Sequence, residues 1–428
     1  MNNPLKIAIH TLGCKVNRCD SEDLAAELIK IGYEIVDFKS IADVYIINTC
    51  TVTMTSDKKS RNMITRAKRR NKQAFVAVCG CMTGSTKISG SEIAGADYLF
   101  DARKPVEFLY KLVEISTAPY VAEIGNTAPT NPLSRTRVNL KIQDGCDRFC
   151  AYCIVPYVRG TPTSYPLNNV LHEAHTHILN GVKEIVLTGI QVASYGTDLS
   201  PDVNLPVLIQ ELSNISGAIR IRLSSIDPWA IDDAFLNAIT QSKNFCDHFH
   251  LSLQSGSDKI LHAMNRRYTT NEYTNAIHAL RKVRPNAAFT TDIIVGFPGE
   301  TDEDFMHTCD FIRQIQFMDI HVFEYSPRPS TKAYDMPEQV DAKVKSERSK
   351  ILRNLASDMK YAFFSTQLSK PAQILVEDER QQEDHYILTG HTGNYCPIQI
   401  LSTRSHHNEI IEVIPHSIND DYLRGNCI

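Results

Sequence analysis

The sequence contains no apolar run close to the roughly 20 residues that a helix needs to cross a bilayer, and its first residues lack the apolar core of a signal peptide. It also lacks a large excess of either charge, because the formal net charge is −4 over 428 residues. With 43% hydrophobic and 22% charged residues, the composition is neither that of a disordered chain nor that of a fibrous one. We therefore expect a cytoplasmic globular protein of roughly two to four domains, with no membrane partner.

One basic segment departs from this near-neutral average. Between Asp57 and Lys72 the sequence has eight basic residues and one acidic residue, in a pattern that predicts a helix. Such a helix can hold RNA phosphates, although charge runs are also common on helix faces that contact only solvent.

The order of strand and helix patterns predicts an α/β protein. Residues 1–116 alternate short β-rich segments with helices, which implies a parallel βαβ sheet. Residues 117–136 are rich in Pro, Thr, Asn and Ser and are interpreted as a linker. The predicted strands of the first domain lie at 6–12, 44–49 and 75–78.

A second alternating series follows the linker. Residues 137–366 contain six strand–helix units, fewer than the eight of a closed TIM barrel, so we expect an open, partial barrel. Residues 367–428 contain short β-rich runs between polar turns and predict a small all-β domain. The predicted barrel strands lie at 138–143, 184–188, 220–225, 248–254, 289–295 and 321–325.

Three of the twelve cysteines form a CxxxCxxC motif after the first predicted barrel strand. Cys146, Cys150 and Cys153 can hold three corners of a cubane iron–sulfur cluster, which leaves the fourth iron free to bind a small molecule. A structural zinc site would need a fourth protein ligand, and no Cys or His follows within a few residues. Clustered cysteines in a cytoplasmic chain indicate a metal or catalysis, so we expect a cluster here, with zinc and a redox disulfide as the alternatives.

Three further cysteines share one local context although they are far apart in sequence. Cys14, Cys50 and Cys81 each follow a predicted strand of the first domain. Because the carboxyl ends of parallel strands lie side by side, we expect their thiols to converge. The alternative is that they are buried as small apolar side chains. Cys79 competes with Cys81 for the third place, and Cys81 is preferred because it follows Gly80 at the strand end.

These motifs together resemble the radical S-adenosylmethionine (SAM) methylthiotransferases over nearly the whole chain. The segments GCKVN (13–17) and HVFEYS (321–326) are most similar to the branch that modifies N6-threonylcarbamoyladenosine in tRNA. The other matching segments are NTCTVT (48–53), GCDRFCAYCIVPYVRG (145–160), LTGI (187–190), RLSS (222–225), LQSGS (253–257), MNRRY (264–268), GFPGET (296–301) and YSPR (325–328).

The resemblance implies two [4Fe–4S] clusters and SAM as cofactors. Cys14, Cys50 and Cys81 would hold the cluster that carries a sulfur atom, which one SAM molecule methylates. The CxxxCxxC cysteines would be the catalytic set, at which a second SAM is cleaved to methionine and a 5′-deoxyadenosyl radical. That radical would remove hydrogen from adenine C2, where the methylthio group is then delivered.

Candidate SAM contacts come from the alternation of polar and apolar residues along the barrel strands. This alternation places Arg222, Ser224 and Gln254 in the barrel interior. Buried polar groups need polar partners, so these residues are expected to contact SAM, with an internal hydrogen-bond network as the alternative. The family resemblance adds Gly189 and Ser255 to the set.

The resemblance also implies partners. They are tRNA, through its anticodon stem-loop, and a low-potential electron donor such as flavodoxin or ferredoxin. The terminal β domain resembles the RNA-binding TRAM module. Residues 368–428 carry nine acidic and four basic residues, however, so we do not expect this domain to bind RNA phosphates over a broad basic surface. The alternative substrates are another modified tRNA adenosine and a ribosomal-protein aspartate, and the alternative class is a non-enzymatic iron–sulfur RNA-binding protein.

Overall fold

The structure is a computed structural model that describes residues 4–115, 136–217 and 219–428. Of the predicted linker 117–136, all but Thr136 lies outside the described residues. The described chain forms two compact units that do not follow chain order. The first unit comprises residues 4–115, 144–161 and 326–334, and the second comprises the rest.

The first unit contains the predicted parallel sheet, with five strands in the order β2-β1-β3-β4-β5. The order reverses between β1 and β3, and sheets of this kind bind ligands in the crevice beyond the carboxyl ends of the strands at that point. The strands are β1 (Lys6–Thr11), β2 (Glu34–Val36), β3 (Val44–Thr49), β4 (Phe75–Gly80) and β5 (Tyr98–Leu99). The helices are α1 (Lys15–Ile31), α2 (Met54–Arg70), α3 (Cys81–Ser89), α4 (Val106–Ile115) and α5 (Val155–Arg159).

The apolar pattern of the sequence indicates helices over 21–31 and 58–71, and in the structure both begin earlier, at Lys15 and Met54. Cys14 is the N-cap of α1, and Thr53 is the N-cap of α2, where its hydroxyl accepts a hydrogen bond from the Ser56 N–H at 3.1 Å. The first turns of both helices are mostly polar, so hydrophobic periodicity does not reveal them. Because of these early starts, both helices begin close to the carboxyl edge of the sheet.

The second unit contains the predicted open barrel. Its strands form the sheets β10-β9-β6 and β11-β12-β13-β14, with only parallel pairing. The strands are β6 (Arg137–Lys141), β9 (Glu184–Thr188), β10 (Arg220–Leu223), β11 (Ser225–Ile226), β12 (His248–Leu251), β13 (Ala288–Val295) and β14 (Asp319–Glu324), and two-residue strands lie at β7 (Gln143–Asp144) and β8 (Thr163–Ser164). The helices are α6 (Leu167–Leu179), α7 (Leu205–Asn214), α8 (Asp233–Gln241), α9 (Asp258–Ala263), α10 (Thr270–Val283), α11 (Asp302–Ile315) and α12 (Ala342–Ser365).

The outward faces of the barrel strands form the largest hydrophobic core. Phe249 and Phe289 lie on the neighbouring strands β12 and β13, with ring centroids 5.9 Å apart, and both are fully buried. The apolar positions of β12 therefore face the helix layer, as the alternation predicts, and its polar positions face the barrel interior.

The last strands of the second unit form a closed five-stranded barrel in the order β15-β16-β17-β19-β18. Its interior is apolar and includes Ile374, Leu388 and Val413. The prediction of a small all-β domain is therefore confirmed, although the sequence pattern indicates only three of its strands, at 373–376, 398–401 and 410–414. The strands are β15 (Ala372–Gln382), β16 (His385–Thr392), β17 (Pro397–Ser402), β18 (Ile410–Asn419) and β19 (Tyr422–Cys427). Within the described parts of the chain, no helix has the length and apolar character that crossing a membrane requires.

Candidate active site

The first unit brings three thiols together at the carboxyl edge of its sheet. Cys14 follows β1, Cys50 follows β3, and Cys81 is the first residue of α3, directly after β4. A Cβ atom placed on Gly13 would lie 2.9 Å from the Cβ of Cys50, so the loops that carry Cys14 and Cys50 touch. The three thiols are also near enough to influence one another electrostatically.

Burial favours the protonated form of the Cys50 and Cys81 thiols in the protein alone. It raises the pKa of Cys50, and it raises the pKa of Cys81 to about 11, with the neighbouring thiols adding to both increases. Both groups are therefore protonated near neutral pH, and a metal that binds them has to displace their protons.

Cys79 and Cys81 have different surroundings. Cys79 lies inside β4 and packs in an apolar cluster with Leu24 and Phe108. Its backbone carbonyl accepts a hydrogen bond from the Thr49 hydroxyl at 2.5 Å. Burial raises the pKa of the Cys79 thiol well above its ordinary value. Cys79 is therefore a core residue, and Cys81 stays the candidate ligand.

Gly80 makes the sharp turn from β4 into α3 that presents Cys81. Its φ of +88° lies in the left-handed region, which glycine adopts without strain. A Cβ atom here would collide with the Asn48 side chain and with the Thr49 carbonyl. Only glycine therefore fits at the point where the third thiol is placed.

The CxxxCxxC loop belongs to the same unit and is closed by backbone hydrogen bonds. The Cys146 N–H donates to the Gly160 carbonyl at 2.9 Å, and the Cys153 N–H donates to the Cys150 carbonyl at 2.9 Å. Phe149, between the first two cysteines, has a φ of +48°, an uncommon conformation for a non-glycine residue. Strain of this kind is typical of ligand-holding loops.

Arg159 connects the two cysteine-bearing regions. It ends α5, and its guanidinium donates to both carboxylate oxygens of Asp144 at 2.8 Å. It also forms an ion pair with Asp20 of α1 at 3.2 Å and donates to the Asn17 side chain. Burial opposes the charge, but Cys81 and the two carboxylates outweigh it and raise the pKa of Arg159. A permanent positive charge therefore lies beside the converging thiols.

Four of the expected SAM contacts lie just beyond the carboxyl ends of barrel strands in the second unit. Gly189 follows β9, Ser224 follows β10, and Gln254 and Ser255 follow β12. The Ser224 hydroxyl is buried and has no hydrogen-bond partner in the described residues, so it is available to a ligand. Gln254 has a φ of +75°, which is uncommon for a residue other than glycine. The Ser255 hydroxyl contacts the Thr308 hydroxyl at 3.3 Å and is part of the protein's own packing.

Arg222 has other partners. Its guanidinium donates to Glu184 at 2.8 Å and to the Gly393 carbonyl of the terminal barrel at 3.1 Å, and it lies over the Tyr395 ring. Glu184 is the first residue of β9, so Arg222 reaches toward the amino ends of the strands. The inward-facing position was predicted, but the long side chain connects the partial barrel to the terminal barrel, and we leave Arg222 out of the SAM site.

We therefore expect Arg222→Met to lower the free energy of unfolding by about 3 to 5 kcal/mol, because it leaves the buried Glu184 carboxylate without its strongest partner. Equilibrium unfolding in urea measures this effect. The double variant with Glu184→Leu removes both charges and is expected to recover much of the loss. Wild-type stability of Arg222→Met would contradict the structural role.

The barrel interior also holds three residues that sequence reasoning missed as a group. The Asp292 carboxylate contacts His250 at 3.3 Å and His321 at 3.1 Å, and the three residues lie on the adjacent strands β12, β13 and β14. Burial alone would raise the pKa of Asp292, but the two imidazoles outweigh it and hold that pKa well below its usual range. An acidic residue in the middle of an apolar strand was the available signal. The set can bind a divalent cation or orient its imidazoles, and its hydrogen bonds already satisfy the carboxylate.

Comparisons with known proteins agree with this geometry. Residues 140–312 match the Radical SAM superfamily, and residues 6–100 match a family described as Uncharacterized protein family UPF0004. The chain is 37% identical over 422 residues to the threonylcarbamoyladenosine tRNA methylthiotransferase MtaB of Bacillus subtilis (strain 168), covering 95% of this chain and 93% of that protein. It is 36% identical over 405 residues to the tRNA-2-methylthio-N(6)-dimethylallyladenosine synthase of Pelotomaculum thermopropionicum, covering 91% and 90%.

The solved structures show the fold class. The radical SAM methyltransferase TsrM of Kitasatospora setae superposes with a TM-score of 0.54 at 14% identity, covering 77% of each chain. The open parallel barrel and the match to the Radical SAM superfamily together define a radical SAM enzyme. The similarity to the named relatives over nearly their whole length goes further, and the chain belongs to the radical SAM methylthiotransferase family. The resemblance stated from the motifs is confirmed.

The thiol sets fit the cofactors of this family, which are [4Fe–4S] clusters and SAM. Three thiols offer soft donors, as an iron–sulfur cluster requires, and leave one iron for a small molecule. Gly13 lets the backbone pass close to the Cys50 thiol, because a Cβ atom on it would lie 3.2 Å from the Cys50 Sγ, and Gly80 makes the turn that presents Cys81. When bound, the clusters and SAM supply an electron, a sulfur site and a carbon radical.

Proposed function

We propose that the chain transfers a methylthio group to adenine C2 of N6-threonylcarbamoyladenosine, next to the anticodon of tRNA. Cys146, Cys150 and Cys153 would hold the cluster that works with SAM, and the converging trio of the first unit would hold the auxiliary cluster. The observation that carries the proposal is the meeting of Cys14 and Cys50 with the third thiol at one sheet edge. A single-cluster radical enzyme has no use for that second set.

The residues of the protein would position SAM and the tRNA. Ser224, Gln254 and Gly189, which lie just beyond the carboxyl ends of barrel strands, would contact SAM at the mouth of the barrel, and the buried Ser224 hydroxyl has no partner among the described residues. Other exposed basic residues of α2, such as Lys59 and Arg66, would hold tRNA phosphates. A low-potential flavodoxin or ferredoxin would supply electrons, and the tRNA substrate places the reaction in the cytoplasm.

The choice of nucleoside rests on the names of the relatives and on the GCKVN and HVFEYS segments. The alternative, N6-dimethylallyladenosine, carries a hydrocarbon chain at N6, whereas the threonylcarbamoyl chain ends in a carboxylate. Mass spectrometry of tRNA nucleosides from cells with and without the gene tests the proposal. We expect the methylthio form of N6-threonylcarbamoyladenosine to disappear without the gene, while loss of methylthio-dimethylallyladenosine instead would contradict it.

A further inference from the structure

A pocket of about 470 Å³ opens beside the Cys50 loop, within the first unit. This volume is typical of pockets that enclose a small ligand. Met54 is the one apolar residue among those that line the pocket, and the lining contains three cationic side chains against one carboxylate. The lining residues are Met54, Thr55, Asp57, Lys58, Arg61, Asn62 and Arg328.

The single carboxylate of the pocket is already engaged. Asp57 accepts a hydrogen bond from the Thr51 hydroxyl at 2.8 Å and from Arg61 at 3.1 Å, and it lies 3.7 Å from the Arg328 guanidinium. Its one negative charge is shared among these partners. Lys58 and the remaining donors of the two arginines therefore leave an excess of positive charge in the pocket.

Arg328 gives an independent indication of a ligand. It is only 8% exposed, yet it lines the pocket, and its Nε atom has no hydrogen-bond partner among the described residues. Its terminal nitrogen donates to the Thr51 hydroxyl, on the residue that follows Cys50. A buried guanidinium with an unused donor is costly unless a ligand completes its hydrogen bonds.

We infer that this pocket binds the carboxylate of the threonylcarbamoyl chain, an inference that rests on the proposed function. In adenine, C2 and the carbon that bears N6 are both bonded to N1. A base whose C2 is directed at the auxiliary thiols must therefore place its N6 chain close to them. The Cys50 loop connects the two places, because the Cys50 N–H donates to the Ser60 hydroxyl of α2 at 3.2 Å. The exposed Met54 side chain offers an adaptable apolar contact for the threonyl methyl group.

The test uses the reconstituted holoenzyme and two anticodon stem-loop RNAs that differ only in the threonyl group, as the free acid or as its neutral methyl ester. Dissociation constants and methylthiolation rates are measured for both. We expect wild-type enzyme to bind and turn over the acid about 10- to 100-fold better, the range for hydrogen bonds to a charged group. Lys58→Gln combined with Arg61→Gln should lower this ratio markedly, because two of the three cations are removed while Arg328 remains.

Lys59→Gln is the matched control, since it removes the same charge from an exposed neighbouring position of α2 that does not line the pocket. It is expected to weaken the binding of both RNAs equally and to leave the ratio of their dissociation constants unchanged. Equal affinity of wild-type enzyme for the acid and the ester would overturn the inference. A double variant that weakens the binding of both RNAs equally would also overturn it, because this result indicates a phosphate contact. Failure of the proposed function is separate: neither RNA would be methylthiolated, while the dissociation constants still decide about the pocket.

Discussion

Replacing Cys81 with alanine should halve the iron content of the reconstituted protein and abolish methylthiolation, whereas Cys79→Ala should leave both near their wild-type values. Two [4Fe–4S] clusters correspond to about eight iron atoms per chain, and loss of the auxiliary cluster leaves about four. Cys81 opens α3 at the edge of the sheet, while Cys79 packs in the apolar core. The two substitutions are chemically identical and only two positions apart.

The same experiment separates the roles of the two thiol sets. The Cys81→Ala protein should still cleave SAM, so reduction should still release 5′-deoxyadenosine. Cys150→Ala should show the reverse pattern in that assay, with no 5′-deoxyadenosine and with the auxiliary iron retained. If Cys79→Ala, rather than Cys81→Ala, lost four irons, the assignment of the third ligand would be wrong. If both variants kept about eight, the auxiliary cluster would be held elsewhere.

The sequence predicted this edge of the sheet well because strand order and position determine it. Each of the three cysteines follows an apolar strand, and parallel strands end at one edge. The parity of the two positions does not separate Cys79 from Cys81, so the preference for Cys81 depended on its place after Gly80, at the end of β4. The turn at Gly80 decides this, and its need for glycine follows from the nearby Asn48 and Thr49 atoms.

The barrel interior shows the limit of alternation as a guide. The pattern placed Arg222 and Ser224 on one inward face, and the structure separates their roles. A side chain as long as arginine extends along the barrel axis, so facing inward does not fix the end that it reaches. Asp292 was missed for a different reason. Its strand contains enough apolar residues to be interpreted as core, and its partners His250 and His321 come from neighbouring strands. Contacts between strands are absent from any single-strand pattern.

Replacing Arg159 with methionine should lower the free energy of unfolding by about 3 to 5 kcal/mol, because it removes the guanidinium that pairs with two buried carboxylates, Asp20 and Asp144. Denaturant unfolding of the metal-free protein measures this effect. Arg18→Gln is the matched control. It removes the same charge from an exposed pair with Glu22, and such pairs contribute up to about 1 kcal/mol.

The effect on the auxiliary cluster should be separable from the effect on stability. Adding Asp20→Asn and Asp144→Asn to Arg159→Met removes all three charges and should recover much of the lost stability, as replacement of buried ion pairs generally allows. The cation beside Cys81 and Cys14 would still be missing, and both thiols would have to become thiolates to bind iron without it. We therefore expect the restored protein to hold its auxiliary iron about 10- to 100-fold less tightly in a chelator competition, the range found for supporting residues around metal sites. A restored protein with wild-type iron affinity would show that Arg159 only joins α5 to α1, and that its charge does nothing for the cluster.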